Sequence, residues 1–273
     1  LNQFSMDEHN GYFRVATTSG YTRGANANST SAITIFDSTM NQVGQVSDLA
    51  KGERIYSARF MGDRAYIVTF KEVDPLFTFD LSNPTNPKVL GELKIPGYST
   101  YLHPIGENHL LGLGHETAVE KISGSNETFV KPVSLKLSLF NVTDLNNPIE
   151  QDVELLGGEG TYSQAIDNHK AFFVHEEKNL YGFPVSVYDY RENITNPFMG
   201  EGAMLYTVTP ENGISVAANL ISNKSYEIWG ESTQRILYIN DVVYLVRQQN
   251  MVSYNINNFK QLGTVSFQKK KKR

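Results

Sequence analysis

The stretch DLSNPTNPKVLGEL, Asp80–Leu93, decides the fold. It is a hydrophobic run that breaks into an Asn/Pro/Thr turn and leaves again as a second β-rich run. A near-copy, NVTDLNNPIEQDVEL, spans Asn141–Leu155. The same strand–turn–strand form recurs as SAITIFDSTMNQVGQVSDL (Ser31–Leu49), AMLYTVTPENGISVAANL (Ala203–Leu220) and MVSYNINNFKQLGTVSF (Met251–Phe267). A hairpin written repeatedly in one chain marks a repeat architecture.

Each copy is preceded by another pair of strands around a tight polar turn. These are QFSMDEHNGYFRVA (Gln3–Ala16), YSARFMGDRAYIVTF (Tyr56–Phe70), TYLHPIGENHLLGLG (Thr100–Gly114), YSQAIDNHKAFFVH (Tyr162–His175) and RILYINDVVYLVR (Arg235–Arg247). Their turns use Gly, Asp, Asn and His, which tolerate hairpin dihedrals. The unit is therefore four antiparallel strands in a meander, and there are five units. Helical spacing is not sustained anywhere, while Val, Ile, Tyr, Phe and Thr fill the runs. Stretches such as Ala65–Val68 and Leu110–Leu113 are apolar at consecutive positions, as a strand covered on both faces requires. First-hairpin turns fall near Asn10, Asp63, Glu107, Asn168 and Asp241, an uneven spacing that a propeller absorbs in its loops and a solenoid does not. A β-sandwich would need in/out alternation and Greek-key crossings, which fit this pattern poorly. The sequence thus predicts an all-β fold, a β-propeller of four-stranded antiparallel blades near 2–50, 54–96, 99–157, 161–221 and 233–268. One domain covers 1–268, and 269–273 is a basic tail.

NQFSMDEHNGYFRVATT (Asn2–Thr18), the long block Arg54–Gly114 and GTYSQAIDNHKAFFV (Gly160–Val174) resemble a family of secreted archaeal and bacterial proteins with a C-terminal β-propeller domain distantly related to WD40 repeats. The resemblance implies a secreted or cell-surface protein in which further repeats precede Leu1. It brings no assigned reaction and no catalytic residues.

Bulk composition narrows the function. The 273 residues carry a net charge of -5, which argues against a nucleic-acid partner; the Lys269–Arg273 run reads as a solvated tail. The absence of cysteine excludes disulfides, thiol catalysis and thiolate zinc sites. No apolar run is long enough to span a membrane as a helix. The chain opens at Leu1 rather than Met, and reads as part of a longer precursor.

In a meander, the turns within hairpins lie at one end of the strands, and the 2–3 connections and inter-blade links at the other. The long segments Ser19–Thr30, His115–Val133, Glu176–Gly202 and Ile221–Thr233 fall in the second set, so that face is expected to bind. Its candidates are Asp74 and the aromatics Tyr181, Phe183, Tyr188 and Tyr190, with Phe198 beside them; the competing expectation is that these aromatics are core. Asp74 before Pro75 is either a turn starter or a calcium ligand, with nothing further to support calcium. Ser99, Tyr101 and His103 alternate at the start of an innermost strand and are expected to line the central channel. His109 and His115 are about 20 Å apart along one strand, too far for one metal. The carboxylate pairs Asp152/Glu154 and Glu176/Glu177 lack a spacing that marks a glycosidase, and no nucleophile motif is present. No catalytic, metal or cofactor residue is assigned. The expected function is an extracytoplasmic interaction module binding a protein, peptide or cell-envelope polymer. The alternatives are a hydrolase or lyase on polysaccharide or peptide at the channel mouth, and a scaffold for an N-terminal region.

Overall fold

The fold is that of a computed structural model, which describes residues 2–21, 28–70, 74–121, 124, 128–190, 197–223 and 234–267, with Asp74 described in its main chain only. The segment 22–27, the side chain of Asp74, most of the link before Gln234, and the basic tail lie outside the described residues.

Among the described residues, twenty strands form five four-stranded antiparallel sheets, each a simple meander. The first sheet holds β1 (Met6–His9), β2 (Tyr12–Ser19), β3 (Thr30–Phe36) and β4 (Gln42–Leu49). The second holds β5 (Arg54–Met61), β6 (Arg64–Phe70), β7 (Asp74–Asp80) and β8 (Lys88–Ile95). The third holds β9 (Tyr98–Ile105), β10 (His109–Lys121), β11 (Thr128–Asn141) and β12 (Ile149–Leu156). The fourth holds β13 (Phe173–His175), β14 (Leu180–Tyr188), β15 (Phe198–Thr209) and β16 (Gly213–Asn219). The fifth holds β17 (Arg235–Ile239), β18 (Val242–Val246), β19 (Asn250–Asn255) and β20 (Gln261–Ser266). The strands group into two compact units: residues 1–132 with 136–155, carrying the first three sheets, and residues 133–135 with 156–273, carrying the last two.

Middle strands are buried on both faces, as the consecutive apolar runs predict. Ala65, Tyr66, Ile67 and Val68 are at most 2% exposed, and Leu110, Leu111 and Leu113 at most 1%. In the first unit, Ile33, Ile35 and Ala16 pack on Ala58, Ile67 and Phe79, and Tyr66, Val68 and Leu76 pack on Leu102, Leu110 and Phe140. In the second, Leu180, Ala203 and Leu205 pack on Ile236, Val243 and Leu245. Removing these facing apolar surfaces from water is what holds sheet to sheet.

The opening hairpin does more than repeat. A Cβ on Gly91 would stand 2.3 Å from the Leu145 carbonyl oxygen and 2.8 Å from Pro148 Cδ; one on Gly44 would stand 2.0 Å from the Pro84 carbonyl oxygen and 3.0 Å from Pro87 Cδ. Gly44 opposes Ile35 and Gly91 opposes Thr78, each just after a bulge, so the two glycines are equivalent. The Asn-Pro turn of one sheet therefore nests in a glycine hollow on the outer strand of the sheet before it. Thr78 Oγ1 donates to the Leu145 carbonyl across the second such joint.

A main-chain bond also recurs. The N–H groups of Leu81, Val142, Val208 and Ile256 donate to the carbonyls of Asp63, Asn108, Asn179 and Asp241, at 2.8, 2.9, 2.9 and 2.9 Å. Each links the exit of a third strand to the turn between the first and second.

Three expectations need correction. Tyr162–Asp167 is not a strand: Ser163 Oγ accepts from Ala165 N–H and Asn168 Oδ1 from Lys170 N–H, and these caps set two 3-10 turns, Gln164–Ile166 within it and His169–Ala171 just after it. The fourth sheet's first hairpin instead turns at Glu176–Asn179, where the recurring bond falls. His115–Val133 and Glu176–Gly202 are not mainly loops, because β10, β11, β14 and β15 run through them. Their Thr, Val, Tyr and Phe content extends the ladders into the connections.

Candidate ligand-binding surface

In the first unit, aromatic side chains gather where the second and third sheets carry their 2–3 connections. Tyr56 follows the start of β5, Phe70 ends β6, Tyr98 opens β9, and His115 is its register partner on β10. Tyr56 has no pairing partner, because β5 bulges between Ile55 and Ser57. Such a bulge re-aims a side chain out of the regular ladder. Ring centroids lie 5.5 Å apart for Tyr56–Phe70, 4.9 Å for Tyr56–Tyr98, 4.7 Å for Phe70–Tyr98 and 5.6 Å for Tyr98–His115. The Arg54 guanidinium sits 4.6 Å over the Tyr56 ring and donates to its hydroxyl at 3.0 Å. All four rings are half-buried and Arg54 is exposed.

Beside this platform is an open cleft of about 530 Å³ lined by Asn2, Ser5, Thr17, Thr18, Arg54 and Tyr56. Thr18 Oγ1 accepts from the Ile55 N–H at 3.0 Å, and Asn2 Oδ1 accepts from the Phe4 N–H at 2.9 Å. The wall therefore offers neutral hydroxyl and amide groups next to aromatic faces, the composition that recognises a polar ligand with an apolar side.

Further along β5 and β9, the Arg59 guanidinium lies 4.0 Å over Phe4 and 5.5 Å over Tyr101, and its Nε donates to the Leu102 carbonyl at 2.8 Å. The Tyr101 hydroxyl and His103 Nδ1 are 3.1 Å apart. Burial, then the Arg59 charge, holds His103 down to about 4, so the imidazole is neutral at pH 7. Burial also lowers Arg59 and raises Tyr101. Of the three residues expected along the channel wall, Tyr101 and His103 share a face and Ser99 does not. Tyr101 pairs with Leu113 and Ser99 with Gly114, leaving Thr100 as an extra residue that reverses the alternation. Ser99 turns into the packing between the second and third sheets, near Gly112 and Phe140.

The other sequence candidates divide. Tyr181 and Phe183 are 4% and 1% exposed, because β14 is an interior strand covered on both faces; they are core, not contact surface. Tyr190 is 54% exposed and stacks on half-buried Tyr188 at 5.8 Å and 12°, with Phe198 edge-on to Tyr188 at 5.4 Å. That pair sits at the 2–3 connection of the fourth sheet. Asp74 pairs with Ile95 through its main chain. Among the described residues, no group of three or more His, Asp or Glu side chains is spaced to hold a metal. His9 Nε2 contacts Asp63 Oδ1 at 3.1 Å, and His109 Nε2 contacts Gln151 Oε1 at 3.1 Å. The Arg54–Tyr56–Phe70–Tyr98 platform escaped sequence reasoning. Its one visible signal is a Tyr or Phe at a strand end next to a connection; the bulge that exposes Tyr56 leaves no mark in the residues.

Five meandering four-stranded sheets define a β-propeller domain. The chain belongs to the β-propeller domain family, which it matches over residues 1–259. It is 51% identical over 184 residues to an uncharacterized protein of Methanocaldococcus jannaschii, covering 67% of this chain and 27% of that protein. It is 32% identical over 268 residues to an uncharacterized protein of Archaeoglobus fulgidus, covering 98% of this chain and 35% of that one. The chain thus spans about a third or less of the length of these curated relatives. Among solved structures it is similar to apo AztD from Citrobacter koseri, with a TM-score of 0.52, 13% identity, and 96% of this chain and 58% of that one covered. A europium-containing methanol dehydrogenase gives a TM-score of 0.52 at 8% identity, over 96% of this chain and 51% of that one. At such identities the likeness is one of fold.

Proposed function

We propose that the chain is a non-catalytic, extracytoplasmic binding module that holds a cell-envelope polysaccharide through the connection ends of its second and third sheets. The observation that carries this is the ring platform Tyr56–Phe70–Tyr98 beside a cleft walled by Asn2, Ser5, Thr17, Thr18 and Arg54. A pyranose ring presents C–H groups on one face and hydroxyls around its rim. The aromatic faces suit the first, and the amide, hydroxyl and guanidinium groups suit the second. The middle strands beside them are buried, and the rings already pack on one another, so little ordering is needed on binding.

The test is retention of purified, size-defined envelope polysaccharide on immobilised protein, with glycan length read before and after. Wild type is expected to retain the polymer intact. Tyr56→Ala and Tyr98→Ala should each weaken retention about tenfold, corresponding to about 1.4 kcal/mol. Unchanged retention in both variants overturns the proposal. Shortened glycan overturns it in favour of a hydrolase or lyase, and retention of envelope peptides alone overturns the polysaccharide assignment.

A further inference from the structure

The second unit holds a cleft that goes beyond the function proposed above. The β13–β14 turn, Glu176–Lys178, closes on Asn179 at φ 48°, and the β17–β18 turn contains Asn240 at φ 50°. Asn tolerates this left-handed backbone, which lets both hairpins reverse tightly. Around these corners lies an open cleft of about 680 Å³, lined by His175, Glu176, Glu177, Tyr238, Asn240 and Asp241, with Val174 and Lys178 completing it.

Its charges are unbalanced. Glu176, Glu177 and Asp241 are exposed, and none of the three carboxylates has an ion-pair or hydrogen-bond partner among the described residues. Lys178, the one basic residue of the cleft, directs its Nζ to Asn257 Oδ1 at 3.0 Å. His175 is 6% exposed and its Nδ1 has no hydrogen-bond partner, an arrangement that buried polar atoms rarely keep. Its ring lies 4.3 Å from that of Tyr238, which is 46% exposed.

We propose that this cleft binds an organic cation, with an ammonium or guanidinium group held against Tyr238 and among Glu176, Glu177 and Asp241. A bare metal ion fits poorly, since no His/Asp/Glu group among the described residues is spaced to ligate one, and the cleft is far larger than an ion. A diffuse charge on a carbon frame suits both features. An aromatic face attracts such a cation, the carboxylates supply the opposing charge, and His175 at the cleft wall, in the tautomer that carries its proton on Nε2, offers Nδ1 as an acceptor.

The test is NMR titration of the whole chain with agmatine, with an acetylated, amidated Gly-Arg-Gly peptide, and with calcium chloride as the metal control. Saturable shifts confined to residues 174–178 and 238–241 are expected with agmatine, the peptide, or both. A stronger response to agmatine identifies a small free polycation as the ligand, and one to the peptide identifies a basic side chain. The Glu176→Gln/Glu177→Gln/Asp241→Asn variant changes only exposed groups and should bind at least tenfold more weakly; Tyr238→Leu should bind about threefold more weakly. No saturable shift with either cation overturns the proposal. So does equal affinity in the triple variant, or calcium binding at the same residues with equal or greater affinity.

Discussion

Gly91→Ala probes the joint on which the packing of the second and third sheets turns. The added Cβ would stand 2.3 Å from the Leu145 carbonyl oxygen, where ordinary contact begins near 3.4 Å, so the turn must retreat by about 1 Å. Pro148 Cδ at 2.8 Å and the Asn146 carbonyl oxygen at 3.0 Å obstruct escape sideways; the first belongs to a proline ring tied to its backbone and the second to backbone itself, so neither is the end of a flexible side chain. Overpacking of this kind costs about 1–3 kcal/mol. Retreat also breaks the Thr78–Leu145 hydrogen bond, about 1 kcal/mol. Against this, alanine restricts the unfolded chain and returns about 0.4–1 kcal/mol. The net expectation is a loss of about 2 kcal/mol, or about 4–8 °C in Tm for a chain of this size. Thermal unfolding followed by circular dichroism measures it, with Gly263→Ala as control. There the nearest atom to an added Cβ is Ser253 Oγ at 3.6 Å, so that variant should be neutral or slightly stabilised. A Gly91→Ala protein as stable as wild type, or a control that falls as far, would refute the nesting argument.

Other consequences follow from buried charge. Lys136 is 6% exposed and holds Glu116 Oε2 at 3.2 Å, Glu150 Oε1 at 3.1 Å and the Pro96 carbonyl at 2.7 Å. Lys136→Met should cost about 3–5 kcal/mol in urea unfolding, and adding Glu116→Gln with Glu150→Gln should recover much of it. His103 titrates near 4 in the folded chain against 6.5 ordinarily, so the unfolded chain takes up the proton first as pH falls. Its contribution is complete above pH 6.5 and is lost between pH 6.5 and about 4, by up to about 3 kcal/mol. His103→Gln should flatten that part of the stability–pH curve, and an unaltered slope would show that His103 is not its source. Arg14 is 1% exposed and donates to Asp7 Oδ1 and Oδ2 at 2.8 and 2.6 Å and to the Gly62 carbonyl at 2.7 Å. Arg14→Met should therefore cost about 3 kcal/mol in the same unfolding assay.

The fold was legible because period and turn chemistry act locally. Ala65–Val68 announces a doubly covered strand whatever surrounds it, and Asn-Pro turns announce hairpins. Where local chemistry competes with the repeat, the repeat misleads. Ser163 and Asn168 cap their own backbone and fold Gln164–Ile166 and His169–Ala171 into 3-10 turns, although the stretch imitates a first strand and its turn. The site was less legible, since it depends on bulges. An extra residue at Thr100 sends Ser99 away from Tyr101, and one at Tyr56 lifts its ring out of the ladder. Neither Thr nor Tyr signals a bulge by itself. The glycine hollows at Gly44 and Gly91 were equally hidden, because what they receive comes from a different sheet.

The bond from the exit of the third strand to the first turn uses only main-chain atoms. Any residue able to make the corner keeps it, which is why the tips read Gly-Asp, Glu-Asn or Asn-Asp while holding the same stitch. One rim of each of these sheets is thus fastened without regard to side-chain identity. The opposite rim, spared that duty, is free to exchange its connecting segments while the scaffold beneath stays as it is.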